Sequence, residues 1–193
     1  KTPDGKYFWI DYVPSSSTET LYYQYVVDGI TIADPLSELI LDPQNDKYID
    51  PTVFPNLPVY PNTLNNGHVS VIYIGASAYP WNITNFSPPA KEDLVVYELL
   101  VRDFVKTHSY KTIQDTLDYL QRLGVNAIEL MPINEFENNL SWGYNPSYHM
   151  ALDKYYGSPE RFKSLVDEAH KRGIAIILDV VFNHAFGQSP LCS

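Results

Sequence analysis

Basic residues are scarce in this chain. Thirteen Lys and Arg stand against 23 Asp and Glu, a formal net charge of -10, and the cations form no cluster. A surface of that sign repels phosphate backbones, which excludes nucleic acid as a partner class. Cysteine is nearly missing too. Cys192 is the single one, so no intramolecular disulfide can form, its thiol reads as incidental, and cysteine usage leaves the compartment open. Long apolar runs are lacking: the longest are of strand length, far short of the roughly 20 residues of a membrane span. No signal peptide, internal repeat or low-complexity tract is visible either. Lys1-Thr2-Pro3 is not a natural start, and Leu191-Cys192-Ser193 stops soon after a strand signal, so the expectation is a piece of a longer protein whose secretion signal has been removed or lies elsewhere. What is plentiful is apolar and aromatic. Hydrophobic residues make up 45% of the chain, a globular composition. The 16 Tyr and 3 Trp are rings of the kind that pack in cores and at carbohydrate or other flat-ligand sites.

The front of the chain reads as β-structure. Residues 6–13 and 20–27 are rich in β-branched and aromatic side chains and are separated by Pro14-Ser15-Ser16-Ser17, which predicts neighbouring antiparallel strands. Asp28-Gly29 before Ile30-Thr31-Ile32 has the turn chemistry of a tight hairpin, and Val69 to Ile74 adds a later strand. Residues 33–67 carry scattered Pro, Asn and Asp with little periodicity, which predicts a long ordered loop or a ligand-facing excursion. The expectation is a small β-sandwich module over residues 1–86, with Ser87-Pro88-Pro89-Ala90 as the linker to a second unit over 87–193.

In that second unit strands alternate with helices. Leu94 to Leu99, Val125 to Leu130 and Ile174 to Leu178 are short buried-strand signals. Between them Ile113, Leu117, Leu120 and Leu123 share one helical face ahead of Gly124, and Ser158-Pro159 opens a helix with an apolar stripe at Phe162, Leu165, Val166 and Ala169 ahead of Gly173. Repeated βαβ units predict a parallel sheet, and three strands in about ninety residues suit the opening of a (β/α)8, or TIM, barrel that is incomplete after strand three. A flavodoxin-like sheet shares this periodicity, but no Gly-rich phosphate loop follows the first strand. Asp179-Val180-Val181-Phe182-Asn183-His184 closes the third strand. An ionised carboxylate inside such a sheet is costly, so Asp179 belongs at the strand's carboxyl end with a partner or water, where barrels of this class keep their chemistry.

From Pro80 onward the chain resembles the α-amylase clan, glycoside hydrolase family 13. The resemblance is carried by Val96-Tyr97-Glu98-Leu99-Leu100-Val101-Arg102-Asp103-Phe104, by Glu129-Leu130-Met131-Pro132-Ile133, by the Asp179 to His184 signature, and by Ser141-Trp142-Gly143-Tyr144-Asn145-Pro146 with Lys154-Tyr155-Tyr156-Gly157 beyond it. The β-rich front, with Tyr25-Val26-Val27-Asp28-Gly29 and Asp34-Pro35, is similar to the immunoglobulin-like sandwich that precedes the barrel in branching and debranching relatives. The resemblance implies retaining cleavage of α-glucosidic bonds in starch or glycogen, a chemistry that needs a nucleophilic carboxylate and an acid about 5 to 5.5 Å apart. In the family these come from strands four, five and seven, so no catalytic residue is expected in these 193 residues, and the chain alone is expected to be inactive.

The resemblance assigns other roles here. Asp179 supports the floor of the sugar subsite beside the scissile bond, His184 hydrogen-bonds that sugar's primary hydroxyl, Tyr144 stacks beneath it, Trp142 is a neighbouring aromatic candidate, and Asn183 offers an oxygen to calcium, the one cofactor implied. Without the signature, Asp179 reads as a capped strand-end carboxylate, His184 as a packed or solvent-facing histidine, and Tyr144 and Trp142 as fillers between loop and barrel rim. His108, His149 and His170 are read as structural, as are Glu98, Arg102 and Glu129. Asn82-Ile83-Thr84 and Asn139-Leu140-Ser141 fit the glycosylation pattern without fixing a compartment. Asn134-Glu135-Phe136-Glu137 and Gly187-Gln188-Ser189-Pro190 lean towards secreted bacterial amylases. Two other readings stand beside the hydrolase: a branching or transglycosylating relative, and a non-catalytic carbohydrate-binding protein.

Overall fold

The computed structural model describes residues 1–64 and 67–192. Its strands in chain order are β1 (Glu19–Tyr23), β2 (Tyr25–Val27), β3 (Ile30–Ile32), β4 (Ile40–Leu41), β5 (Val69–Ile74), β6 (Val96–Leu99), β7 (Ala127–Leu130), β8 (Asn134–Phe136), β9 (Pro146–Leu152) and β10 (Ala175–Leu178). The α-helices are α1 (Val101–Phe104), α2 (Tyr110–Arg122) and α3 (Pro159–Lys171).

In the rear part β6, β7 and β10 form a sheet in the order β10-β7-β6, with both pairings parallel. Register places Leu99, Leu130 and Leu178 side by side, and likewise Glu98, Glu129 and Ile177. Alternation then divides the faces. Leu99, Ile128 and Leu130 are buried in one cluster with Ile113, Leu117 and Leu120 of α2 and Leu165 and Ala169 of α3. Glu98, Glu129 and Ile177 point the other way, towards the side that a closed barrel would enclose. Both long helices begin and end where local chemistry directs. The Ser109 hydroxyl accepts from Thr112 N at 3.2 Å and the Ser158 hydroxyl from Arg161 N at 3.4 Å. Gly124 at φ 82° and Gly173 at φ 73° supply the left-handed residue that stops each one.

The front part differs from expectation in three ways. First, β1 does not pair with residues 6–13: it lies antiparallel to β5, which in turn pairs with β4. Residues 6–13 form no strand and leave Phe8 77% and Ile10 88% exposed, because β-propensity reports fit to a neighbouring strand and this segment has none. Second, the described residues of the front show no two-layered sandwich. They give the three-stranded sheet β1-β5-β4 and a separate β2–β3 hairpin, whose Asp28 (φ 51°) and Gly29 (φ 85°) make the expected tight turn. Third, the stretch 33–67 contributes more than a loop. It supplies β4, and Leu39, Leu41, Ile49 and Phe54 join Val69 and Val71 in the front core.

Front and rear also share buried contacts. Ala33 and Ile40 cluster with Tyr148 and Ala151. The Lys154 ammonium is 2% exposed; it pairs with Glu135 and lies 3.3 Å from Asp46 of the front. His68 stands between Asp42 (Nε2, 3.4 Å) and the Tyr148 hydroxyl (Nδ1, 2.9 Å). Burial works to raise the Asp42 pKa, but hydrogen bonds from His68, the Asn45 side chain and Gln44 N hold it well below the usual carboxylate range.

Candidate functional site

The parallel sheet ends in loops that come together. Asp179 N donates to Leu130 O at 3.0 Å, extending the ladder one residue past β10 and setting the Asp179 side chain at the carboxyl mouth of the sheet. After β7 the chain makes the antiparallel hairpin β8–β9, with two register irregularities, before α3 returns it to the sheet. Sequence periodicity does not show this hairpin. Its connecting loop turns at Gly143, φ 89°, where a Cβ would lie 2.4 Å from Pro132 O, so only glycine fits. The Ser141 hydroxyl accepts from Gly143 N at 2.9 Å and donates to the Asn145 side chain, which holds the turn closed.

That loop holds Tyr144 over the third strand's end. Tyr144 Oη donates to Asp179 Oδ2 at 2.6 Å, and His184 Nε2 donates to the Tyr144 carbonyl at 2.9 Å. The signature residues Asp179 and His184 and the hairpin residue Tyr144 therefore form one hydrogen-bonded group. His149 of β9 belongs to it as well. Its Nε2 donates to the His184 carbonyl at 3.0 Å, while Phe186 N donates to Pro146 O at 2.8 Å, so the two loops are zipped together. Sequence reading left His149 as structural because its partner is a main-chain carbonyl, which has no identity in the sequence. Trp142, 61% exposed, lies on the same turn and outside this hydrogen-bonded group.

Asn183 is exposed, and no three His, Cys, Asp or Glu side chains gather in a metal-binding group among the described residues. A calcium ion takes six to eight oxygens, and the resemblance draws all but the Asn183 oxygen from loops outside this chain. The nitrogens of both glycosylation patterns are engaged: Asn82 Nδ2 donates to Asp167 at 2.7 Å and Asn139 Nδ2 to Asn45 O at 2.9 Å.

Electrostatics follow from the geometry. The Tyr144 phenol is pushed up to about 12, first by its hydrogen bond to Asp179, then by burial and by the negative charges of Asp179, Glu98 and Glu129. At neutral pH the phenol is protonated and donates, which fixes the ring plane. Because the fold raises this pKa, the stabilisation from the bond is complete below the unfolded value of about 10 and is lost as pH rises towards 12. Asp179→Asn is expected to return the phenol towards its ordinary value of about 10, read by ultraviolet or NMR titration. A value still near 12 would exclude Asp179 as the cause.

Comparison with known proteins places this arrangement. The family description "Alpha amylase, catalytic domain" matches residues 59–189. The malto-oligosyltrehalose trehalohydrolase of Saccharolobus solfataricus is 35% identical over 163 residues, covering 84% of this chain and 27% of that protein. Among solved structures, the putative alpha amylase from Salmonella typhimurium superposes with a TM-score of 0.69 at 28% identity, over 91% of this chain and 26% of its own. A pullulanase solved in complex with maltotetraose gives a TM-score of 0.61 at 25% identity, over 85% of this chain and 25% of its own. The chain thus spans about a quarter of the length of the proteins it matches. A match across more than half of the residues, on a parallel sheet whose loop ends carry Asp179, Tyr144 and His184, establishes that the chain belongs to the alpha-amylase catalytic-domain family.

Proposed function

We propose that this chain is part of a retaining α-glucan hydrolase, and that Tyr144, Asp179 and His184 form the floor of a glucose subsite. The reading rests on one observation: these three side chains converge at the carboxyl ends of parallel strands, although 35 or more residues separate Tyr144 from the other two. The Tyr144 ring, held by Asp179, offers an apolar face to the C–H side of a pyranose. A neutral His184 that donates from Nε2 keeps Nδ1 free to accept from a sugar hydroxyl. Asp179 spends Oδ2 on Tyr144, and Oδ1 remains to accept a second hydroxyl.

The nucleophile and the acid come from other strands of the longer enzyme, so these 193 residues do not turn over starch. The trehalohydrolase, pullulanase and amylase names of the similar proteins support a glucan substrate and hydrolysis. In the longer enzyme Tyr144→Ala is expected to lower kcat/KM on maltoheptaose by about 10- to 100-fold, through lost positioning. An unchanged kcat/KM would remove Tyr144 from the site. Reducing sugar released from soluble starch by the 193-residue chain would overturn its inactivity, and elongated or branched products from the longer enzyme would replace hydrolysis by transfer.

A further inference from the structure

A second concave feature lies on the seam between front and rear, apart from the Tyr144 group. Two cavities of about 260 Å³ each adjoin there and share Tyr48 and Tyr155. We propose that this seam is a second α-glucan-binding site, resting on the glucan reading above for its ligand class.

Three features point to a neutral polyhydroxyl chain. Tyr48 is 68% exposed yet lines a cavity, so an apolar ring is held open in a concave place. The Lys47 ammonium sits 5.0 Å from its centroid, and a single cation can cover only one face. Asn45, Asn138 and Asn139 line one cavity; the amide nitrogens of Asn45 and Asn139 donate to Asp42 and to the Asn45 carbonyl, so their oxygens and the Asn138 amide are the groups that meet hydroxyls. Rings for C–H faces and amides for hydroxyl rims are the two contacts a pyranose presents. The other cavity is lined by one charge of each sign, Lys106 and Asp50, the latter's carboxylate held by Thr52.

The seam is also held in shape without a ligand. Asn139 Nδ2 donates to the Asn45 carbonyl at 2.9 Å, tying the hairpin loop to the front. His108 stacks on Tyr155 with centroids 5.5 Å apart and planes 20° from parallel, and its Nδ1 donates to the Arg102 carbonyl at 2.6 Å. Left-handed Asn138, φ 64°, completes the turn. Tyr48 and Asn45 come from the front, Tyr155 and Asn138 from the rear, so neither half forms the site by itself. Both cavities are lined by the same two tyrosines, so the rings present surface to each.

The test is an NMR titration of the ¹⁵N-labelled 193-residue chain with maltoheptaose. Amides at 45–50, 106–108 and 138–140 are expected to shift. Tyr48→Ala, an exposed change that the fold tolerates, should weaken that response about five-fold, the size of one lost stacking contact. Asn138→Gly keeps the left-handed turn and should weaken it as well. Shifts confined to 142–145 and 179–184 would overturn the seam while leaving the Tyr144 reading intact. Seam shifts without any at 142–145 would keep the seam and count against that reading. Absence of seam shifts, or seam shifts indifferent to Tyr48→Ala, would overturn the proposal.

Discussion

Lys154→Met is expected to destabilise the chain by about 3 to 5 kcal/mol at neutral pH, because it removes one partner from a buried ion pair and leaves the others uncompensated. Lys154 pairs with both Glu135 and Asp46, and its charge also lowers the cost of burying Asp153. Burial alone would drive its ammonium pKa down, yet Glu135, Asp46 and Asp153 together raise it above the usual lysine value. Burial pushes Glu135, Asp46 and Asp153 upwards, with Lys154 opposing it in each case. The sign follows. A carboxyl whose folded pKa lies above its unfolded one stabilises most below the unfolded value and loses that contribution as pH rises through the folded one. With Lys154 gone, the main opposition to the upward push is lost and only backbone hydrogen bonds and His68 still counter it, so the deficit in the variant should shrink between pH 7 and pH 5. Thermal unfolding of both proteins at the two pH values measures it. A loss under about 1 kcal/mol at pH 7, or a deficit that grows on acidification, would show that the network does not bind front to rear.

Gly143→Ala is expected to disorganise the Tyr144 group without touching any of its side chains. The new Cβ would meet Pro132 O at 2.4 Å and Pro132 Cβ at 2.8 Å, and the residue keeps φ at 89°, where an L side chain is strained. Neither backbone nor a proline ring can swing aside, so the turn itself must move. Tyr144 then leaves Asp179, and its titration should fall from about 12 towards the ordinary phenol value. In the longer enzyme a displacement of about 1 Å is expected to cost roughly 100-fold in kcat/KM. Gly124→Ala is the control. It shares a positive φ, 82°, but nothing lies within 4 Å of its Cβ, so it should cost only about 1 kcal/mol and leave Tyr144 as it was. Equal Tyr144 titrations in the parent and in Gly143→Ala would refute the close-packing account.

Much of this protein is local, and what is local was readable. Ser158 caps, Gly124 and Gly173 stop, Asp28-Gly29 turns, and the apolar spacing of α2 and α3, the exposed Leu123 apart, turns their stripes to one sheet face, each through contacts within a few residues. The signature from Asp179 to His184 was legible for the same reason, since both ends belong to one strand exit. Pairing over distance was not. Residues 6–13 have the composition of a strand and no partner, while β1 finds its neighbour in β5, some fifty residues on. Nothing in the sequence links Lys154, Glu135 and Asp46, which meet because the docking of front on rear brings them together and takes most of the water from them. The bond from Tyr144 to Asp179 and the one from His149 to a main-chain oxygen likewise await the hairpin's return to the sheet. Sequence by itself determined the helices, the turns and the family's residues. The tertiary structure decided which strands pair, which charges are desolvated and which rings share a cavity, since those depend on surfaces meeting across the chain rather than along it.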